Sequence, residues 1–254
     1  MRKIDRTIKF NEQVHFLMSK LEADSKFKNS DLVISKYVYH LYSKIKRTFK
    51  SIDVILKSDI KNSYIETIPL LRIIVESYFH IAYINKNKSR MRLIASQYEN
   101  LAKLELFNLG KYYHYWSLET DIHQDYLDVI KNHYAGKKEP NVPNKLKKVY
   151  LLAKEVGRYD FYVELYTLMS GFVHFSPNTR NLHGEQQDDT FTFNKYVYDE
   201  EADYSIRFHL IQSIILAIGC IENIFELDDY RVNILAPASE DWHVIRQMRL
   251  KAPQ

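Results

Sequence analysis

The chain has 254 residues, a mass of 30.3 kDa and a net charge of +4, and 46% of its residues are hydrophobic. It contains only 6 Gly and 6 Pro, too few for the frequent turns of a β-sandwich, a barrel or a doubly wound α/β protein. The same scarcity goes with the absence of glycine-rich phosphate loops and of the nucleophile elbow of α/β-hydrolases. The composition therefore predicts an all-α fold.

Hydrophobic residues recur at helical spacing and predict one helical bundle over 1–254, with about seven helices. We expect its core at 30–227, a peripheral N-terminal helix at 5–23 and a loosely packed tail at 228–254. Asp31 is the expected N-cap of a second helix that extends to Lys57. Ser63 and Glu66 fit the capping box of a third helix, which ends near Ile84. Because this third helix is apolar nearly all round, it is predicted to lie at the centre.

Further helices are predicted over 90–116, 119–134, 144–156, 160–175 and 201–227. The first of these either ends near Gly110 or continues to Trp116. Residues 176–200 form a long polar loop, in which the alternation over 190–198 predicts a short strand or hairpin. The apolar run 210–221 is shorter than the ~20 residues of a membrane span, which favours a core helix with Cys220 as a buried thiol.

The N-terminal segment lacks the apolar stretch and cleavage site of a signal peptide. We therefore expect a cytoplasmic protein with no membrane partner. No motif with metal-ligand spacing is found, since Glu12-x-x-His15 occurs only once and no C-x-x-C pair is present. The prediction is accordingly a protein without a metal site or another cofactor.

Two predicted helices carry polar residues at every fourth position, which places them in one stripe on each helix. Arg72, Glu76 and His80 form the first stripe, on the central helix. The pair Arg72 and Glu76 is either an anion site, with the arginine oriented by the glutamate, or an internal ion pair that fixes the helix register.

The second stripe lies on the helix predicted over 160–175 and consists of Tyr166, Ser170 and His174. His174 lies in the last turn, where it is either a general acid or a buried histidine bonded to a carbonyl group. Arg180 and His183 follow in the polar loop. If the two stripes face each other, these residues form one polar pocket with Arg180 and His183 at its mouth.

The basic residues are concentrated in 131–158, where eight Lys or Arg stand against Glu139 and Glu155. This stretch is either a solvated surface or a binding region for an acidic protein partner or nucleic acid.

The motifs around the two stripes resemble a family of uncharacterised bacterial helical domains. The resemblance covers roughly 30–225 and is specific in Leu71-Arg-Ile-Ile-Val-Glu76 and in Tyr166-Thr-Leu-Met-Ser-Gly-Phe-Val-His174. More distantly, the arrangement is similar to HEPN domains, helical bundles that often dimerise and many of which cleave RNA without a metal in toxin or phage-defence systems. Their Arg-x4–6-His motif is absent here, because the spacing from Arg72 to His80 is longer and that from Arg180 to His183 is shorter.

The HEPN-like resemblance implies a homo-oligomeric protein that cleaves RNA, with Arg72, Glu76 and His174 as catalytic residues. Tyr166, Ser170, Arg180, His183 and His80 would then bind the substrate. The alternative is a non-catalytic module that binds a protein, a nucleotide or nucleic acid and whose buried polar pocket is structural. A sensor of a small anionic ligand is the third possibility.

Overall fold

A computed structural model of the protein describes residues 2–58, 63–116, 124–167, 184–187, 190–193 and 198–250. In chain order the helices are α1 (Lys3–Ala23), α2 (Ser25–Lys28), α3 (Ser35–Leu56), α4 (Tyr64–Lys86), α5 (Met91–Trp116), α6 (Gln124–Tyr134), α7 (Asn144–Lys147), α8 (Val149–Glu155), α9 (Tyr159–Phe161), α10 (Glu200–Phe225), α11 (Asp228–Tyr230) and α12 (Ala236–Leu250). A 3-10 turn at Lys88–Arg90 precedes α5, and π-helical turns at Tyr162–Thr167 and Arg231–Leu235 extend α9 and α11. The predicted all-α class is confirmed.

Helix α4 lies at the centre of the bundle, where it packs against α3, α10 and α8. Leu71, Phe79, Ile81 and Ile84 are fully buried and, with about 3.6 residues per turn, point to different sides of the helix. A helix that is apolar all round has to be covered on every side, so its sequence already predicted this central position. Helix α10 packs along α4 and carries a second buried face, with Leu210, Ile211 and Ile214.

Helices α4 and α10 are also the two described helices that are long and apolar enough to cross a membrane. Most of their apolar stretches are buried inside the protein, 67% in α4 and 72% in α10. This burial identifies them as core helices, as expected for the run that contains Cys220. The thiol of Cys220 is half-buried, and burial raises its pKa to about 11.

Two predicted helix starts differ from the structure. Helix α3 begins at Ser35 rather than at Asp31, and its N-cap Ile34 provides no side-chain cap. Ser63 is the N-cap residue of α4 as predicted, but its side chain makes no capping hydrogen bond. The expected capping box is therefore absent. Both helices are stabilised by burial of their apolar faces, which outweighs the contribution of about 1 kcal/mol that a cap makes.

The middle of the chain is more broken than its periodicity suggested. The helix predicted over 144–156 is divided into α7 and α8 at Lys148, whose backbone is extended. The helix predicted over 160–175 begins at Tyr159 and widens into π-helical turns up to Thr167. Of the two ends predicted for α5, near Gly110 or at Trp116, the structure has the second.

The strand or hairpin expected in the polar loop is present and begins earlier than predicted. Strands β1 (Gly184–Gln187) and β2 (Thr190–Phe193) pair in antiparallel fashion, with Gly184 opposite Phe193 and Gln187 opposite Thr190.

The two ends of the described chain belong to the core, which corrects the expectation of a peripheral N-terminal helix and a loose tail. Val14, Leu17 and Leu21 of α1 are fully buried, and α1 packs against α10 and α12. Trp242 of α12 is buried, and its ring lies 5.1 Å from that of Phe10 in α1. The mixed polar sequence of 228–250 concealed this packing, because only a few large side chains carry it.

Candidate functional site

The three predicted site residues of the central helix, Arg72, Glu76 and His80, are half-buried on α4. They occupy successive turns of a helix that has α3 on one side and α10 on another. Arg72 and Glu76 each have an interaction partner. The polar stripe read from the sequence therefore lies within the bundle.

His80 is held in the core by Tyr98 of α5. Its Nδ1 lies 2.9 Å from the Tyr98 hydroxyl, which also approaches the His80 backbone carbonyl at 3.3 Å. Burial, reinforced by the positive charge of Lys44, lowers the pKa of His80 to about 4. The imidazole is therefore neutral near pH 7, and its geometry favours a structural role over the predicted contact with a ligand.

The other predicted site residues lie at or beyond the edge of the described chain. The backbone of Tyr166 belongs to the π-helical segment, which packs against α4. Ser170, His174, Arg180 and His183 lie outside the described residues. The meeting of the two polar stripes stays a prediction.

The chain before Tyr166 follows α4 in the antiparallel direction. Glu155 lies beside Lys86, with 3.7 Å between Oε1 and Nζ. Three residues later, Arg158 Nε donates a hydrogen bond of 3.2 Å to the Tyr78 hydroxyl. The ring of Phe161 then lies 6.1 Å from that of Tyr78. The chain thus runs along α4 from its C-terminal end, at Lys86, as far as Tyr78.

Helix α3 presents a basic face to solvent. Lys36, His40, Lys44, Arg47 and Lys50 are all exposed, and their spacing of three and four residues places them on one side of the helix. Asp53 is the only carboxylate of α3, and its Oδ2 lies 2.8 Å from Nζ of Lys57 and 3.3 Å from Nε2 of His15.

The positive charges at the middle of this face are not neutralised by neighbours. Throughout the part of the chain that the structure describes, no carboxylate forms an ion pair with Lys44, Arg47 or Lys50. Lys46, which points to another side of the helix, is paired with Glu22. The face is therefore a field of positive charge rather than a network of salt bridges.

A cleft of about 490 Å³ runs along this face between α3 and α4. It is lined by His40, Ser43, Lys44, Arg47, Thr48 and Ser51 of α3 and by Leu70 of α4. We call it the α3–α4 cleft. Cationic groups alternate with hydroxyl groups along it, and both donate hydrogen bonds to phosphate oxygens.

The α3–α4 cleft lies beside the predicted polar stripe. Leu70 lines the cleft just before Arg72, and Lys44 is close enough to His80 to lower its pKa. Leu70 and His80 flank the stretch of α4 that carries Arg72 and Glu76. The cleft was not predicted, although α3 has five Lys or Arg and only one carboxylate, an imbalance that is visible in the sequence.

The basic stretch 131–158, singled out from the sequence, is neutralised in part by its own carboxylates. Lys145 pairs with Glu155 and Lys147 with Glu139, both at 3.4 Å. Its remaining charge is spread over α6, the connector and α8.

The described residues contain no group of three or more His, Cys, Asp or Glu that could hold a metal ion. The α3–α4 cleft presents donor groups that can recognise an anion.

A family model matches residues 35–191, which is more than half of the chain. It describes a family of unknown function, DUF5677. The chain belongs to this family. The matched region begins at the first residue of α3 and contains α4, so the α3–α4 cleft and the predicted polar stripe both lie within the DUF5677 region. Comparison with curated proteins and with solved structures found no match.

Proposed function

We propose that this DUF5677 protein is an HEPN-like protein that binds RNA, and that the α3–α4 cleft holds the phosphate backbone. The observation that carries the proposal is the basic face of α3, where Lys44, Arg47 and Lys50 have no carboxylate partner in the described chain. Clustered cations without partners attract a polyanion, because binding releases the counterions that the polyanion has condensed.

The shape of the face supports a strand of phosphates over a single small anion. From Lys36 to Lys50 the basic side chains extend over about 21 Å, since each residue of an α-helix adds 1.5 Å. Hydroxyl groups of Ser43, Thr48 and Ser51 lie among them in the cleft. Lysine, arginine and small hydroxyl side chains are the groups that most often contact nucleic-acid phosphates.

The proposal is tested by measuring the affinity for a fluorescein-labelled single-stranded RNA over a range of salt concentrations. The triple variant Lys44→Gln, Arg47→Gln, Lys50→Gln is expected to bind about 50-fold more weakly at physiological salt. Its salt dependence should also be shallower by about two, because each phosphate contact on a single strand contributes about 0.7 to the slope.

A matched control removes the same charge from the other basic region. Lys137, Lys138 and Lys148 are exposed and form no ion pair with the described residues. Their triple change to glutamine lowers the net charge equally and is expected to leave RNA binding within about twofold. An equal loss in both triple variants, or no loss in the α3 variant, would contradict the proposal.

RNA cleavage at the polar stripe is the second candidate, and the course of the chain favours it. Phe161 packs against Tyr78 and Phe79 of α4, and the π-helical segment that follows it also packs against α4. Continued in this direction as the predicted helix, the chain would bring Tyr166 level with Arg72. Arg72 would then neutralise a phosphate, Glu76 would orient Arg72, and His174 would transfer a proton.

The cleavage candidate is tested by incubating the purified protein with total RNA in EDTA. Cleavage that is lost in His174→Ala and in Arg72→Gln, while both variants still bind the labelled RNA, is the expected result. Absence of cleavage by the wild-type protein, or equal cleavage by His174→Ala, would leave a protein that binds RNA without cutting it.

A further inference from the structure

A second cleft lies on the side of the bundle formed by α10 and α12. It has a volume of about 440 Å³ and is bordered by the 158–164 segment, by α10 and by Arg246 of α12. We call it the His209 cleft, after the histidine at its floor. Its volume is within the range of small-molecule sites.

Two arginines stand at the rim of the His209 cleft. Arg158 uses its Nε to donate a hydrogen bond to the Tyr78 hydroxyl at 3.2 Å, which fixes the direction of its guanidinium group. Arg246 of α12 is exposed and lines the same cleft. Among the described residues neither arginine has a carboxylate within ion-pair distance, although Asp160 and Glu164 line the same cleft.

The floor of the cleft is polar, buried and held in place. His209 is only 5% exposed, and its Nε2 lies 3.4 Å from Oε1 of Glu164. Gln212 accepts a hydrogen bond of 2.7 Å from the Trp242 indole at its Oε1, so its amide nitrogen is the group left to donate. The floor therefore adds a fixed donor to the two guanidinium groups at the rim.

Aromatic rings form the walls of the cleft. Phe208 lies 5.5 Å from the His209 ring and nearly perpendicular to it, and Phe161 lies 6.2 Å from the same ring. Leu216 adds a further apolar side chain. A ligand that fits this surface carries an anionic group at one end and a flat apolar body at the other.

We propose that the His209 cleft binds a small organic oxyanion, a carboxylate or a phosphate monoester, attached to an aromatic body. Arg158 and Arg246 bind the oxyanion because a guanidinium group matches two oxygens of such a group at once. Gln212 donates a further hydrogen bond, and Phe161 and Phe208 pack against the body. Glu164 Oε1 lies 3.4 Å from Nε2 of His209 and Asp160 is exposed, and among the described residues neither carboxylate is within ion-pair distance of the two arginines, so both guanidinium groups remain available to the oxyanion.

This site is separate from the proposed RNA site, because α4 lies between α3 and the His209 cleft. The ligand therefore differs from RNA in size and in the residues that bind it. The two proposals can fail independently.

The proposal is tested with three probes, phenyl phosphate, benzoate and inorganic phosphate, by calorimetry on the full chain. We expect phenyl phosphate or benzoate to bind, and inorganic phosphate to bind at least tenfold more weakly than the better of the two. Binding of phenyl phosphate alone assigns a phosphate monoester, and binding of benzoate alone assigns a carboxylate. Absence of binding by both aromatic probes, or equal binding of inorganic phosphate, would overturn the proposal.

Two variants and a control locate the site. Arg246→Gln and Arg158→Gln are each expected to weaken binding of the aromatic probe about tenfold or more. Arg246 is exposed and forms no hydrogen bond or ion pair with the described residues, so its variant remains informative if Arg158→Gln destabilises the protein through Tyr78. The control Arg92→Gln removes an exposed arginine of α5 and should leave binding unchanged. Unchanged binding in Arg246→Gln would refute the site.

Discussion

Removal of the Trp242 indole tests whether the C-terminal helix is an integral part of the fold. Trp242 is 3% exposed, its ring lies 5.1 Å from Phe10 and 4.9 Å from Phe208, and its Nε1 donates to Gln212 at 2.7 Å. Loss of a buried large aromatic side chain costs about 3–5 kcal/mol, because the apolar contacts are lost and a cavity remains. We expect Trp242→Ala to lower the free energy of unfolding by this amount.

The assay is equilibrium unfolding in urea, followed by circular dichroism, with Trp242→Phe and Val244→Ala as companions. Trp242→Phe keeps most of the ring contacts and loses the hydrogen bond to the half-buried Gln212, so we expect a cost of about 1–2 kcal/mol. Val244 lies two residues further along α12 and is 52% exposed, so its change to alanine should cost less than about 0.5 kcal/mol. An equal effect of Trp242→Ala and Val244→Ala would refute the docking of α12 on α1 and α10.

Three further predictions concern buried polar groups. Burial lowers the pKa of His80 from 6.5 to about 4, so the unfolded chain takes up the proton at a higher pH than the folded protein does. We expect the free energy of unfolding, measured in urea titrations, to fall by about 2 kcal/mol between pH 7 and pH 5. The fall should be smaller in His80→Gln. Arg207 and Asp203 form a buried ion pair, with 2.7 Å between Nε and Oδ1. Arg207→Met leaves the buried carboxylate without its guanidinium partner and should lower the free energy of unfolding by about 3–5 kcal/mol. A decrease below about 1 kcal/mol would contradict the buried pair. Cys220, with a pKa raised from 9.0 to about 11, should react with a thiol reagent about 100-fold more slowly in the folded protein than in urea, and equal rates would show that the thiol is not shielded.

The polar stripe on α4 illustrates how far the sequence leads toward a site. A spacing of four residues is a local property of a helix, so the placement of Arg72, Glu76 and His80 on one stripe followed from the sequence. The role of His80 depended on Tyr98, which lies 18 positions away in the chain on another helix. Contacts of that kind are not encoded in helical periodicity, and the predicted ligand residue has the environment of a core histidine.

The basic face of α3 was also predictable from the sequence only in part. The excess of lysine and arginine over carboxylates could be counted in the sequence. Carboxylates from other parts of the chain determine which of these charges are neutralised. Glu22 of α1 forms an ion pair with Lys46, whereas Lys44 and Arg47 have no such partner among the described residues. In the 131–158 stretch, pairs within the same region neutralise charges that appeared prominent in the sequence.

The sequence by itself determined the all-α class and the central place of α4, because the scarcity of Gly and Pro and the all-round apolarity of 64–86 act locally on the backbone and on burial. Only the tertiary structure decided that α1 and α12 join the core and that clefts form beside α3 and around His209. The C-terminal helix is held through Trp242 by Phe10 and Phe208, which are far from it along the chain. Packing of this kind depends on the shapes of surfaces brought together by the whole fold, which local periodicity does not specify.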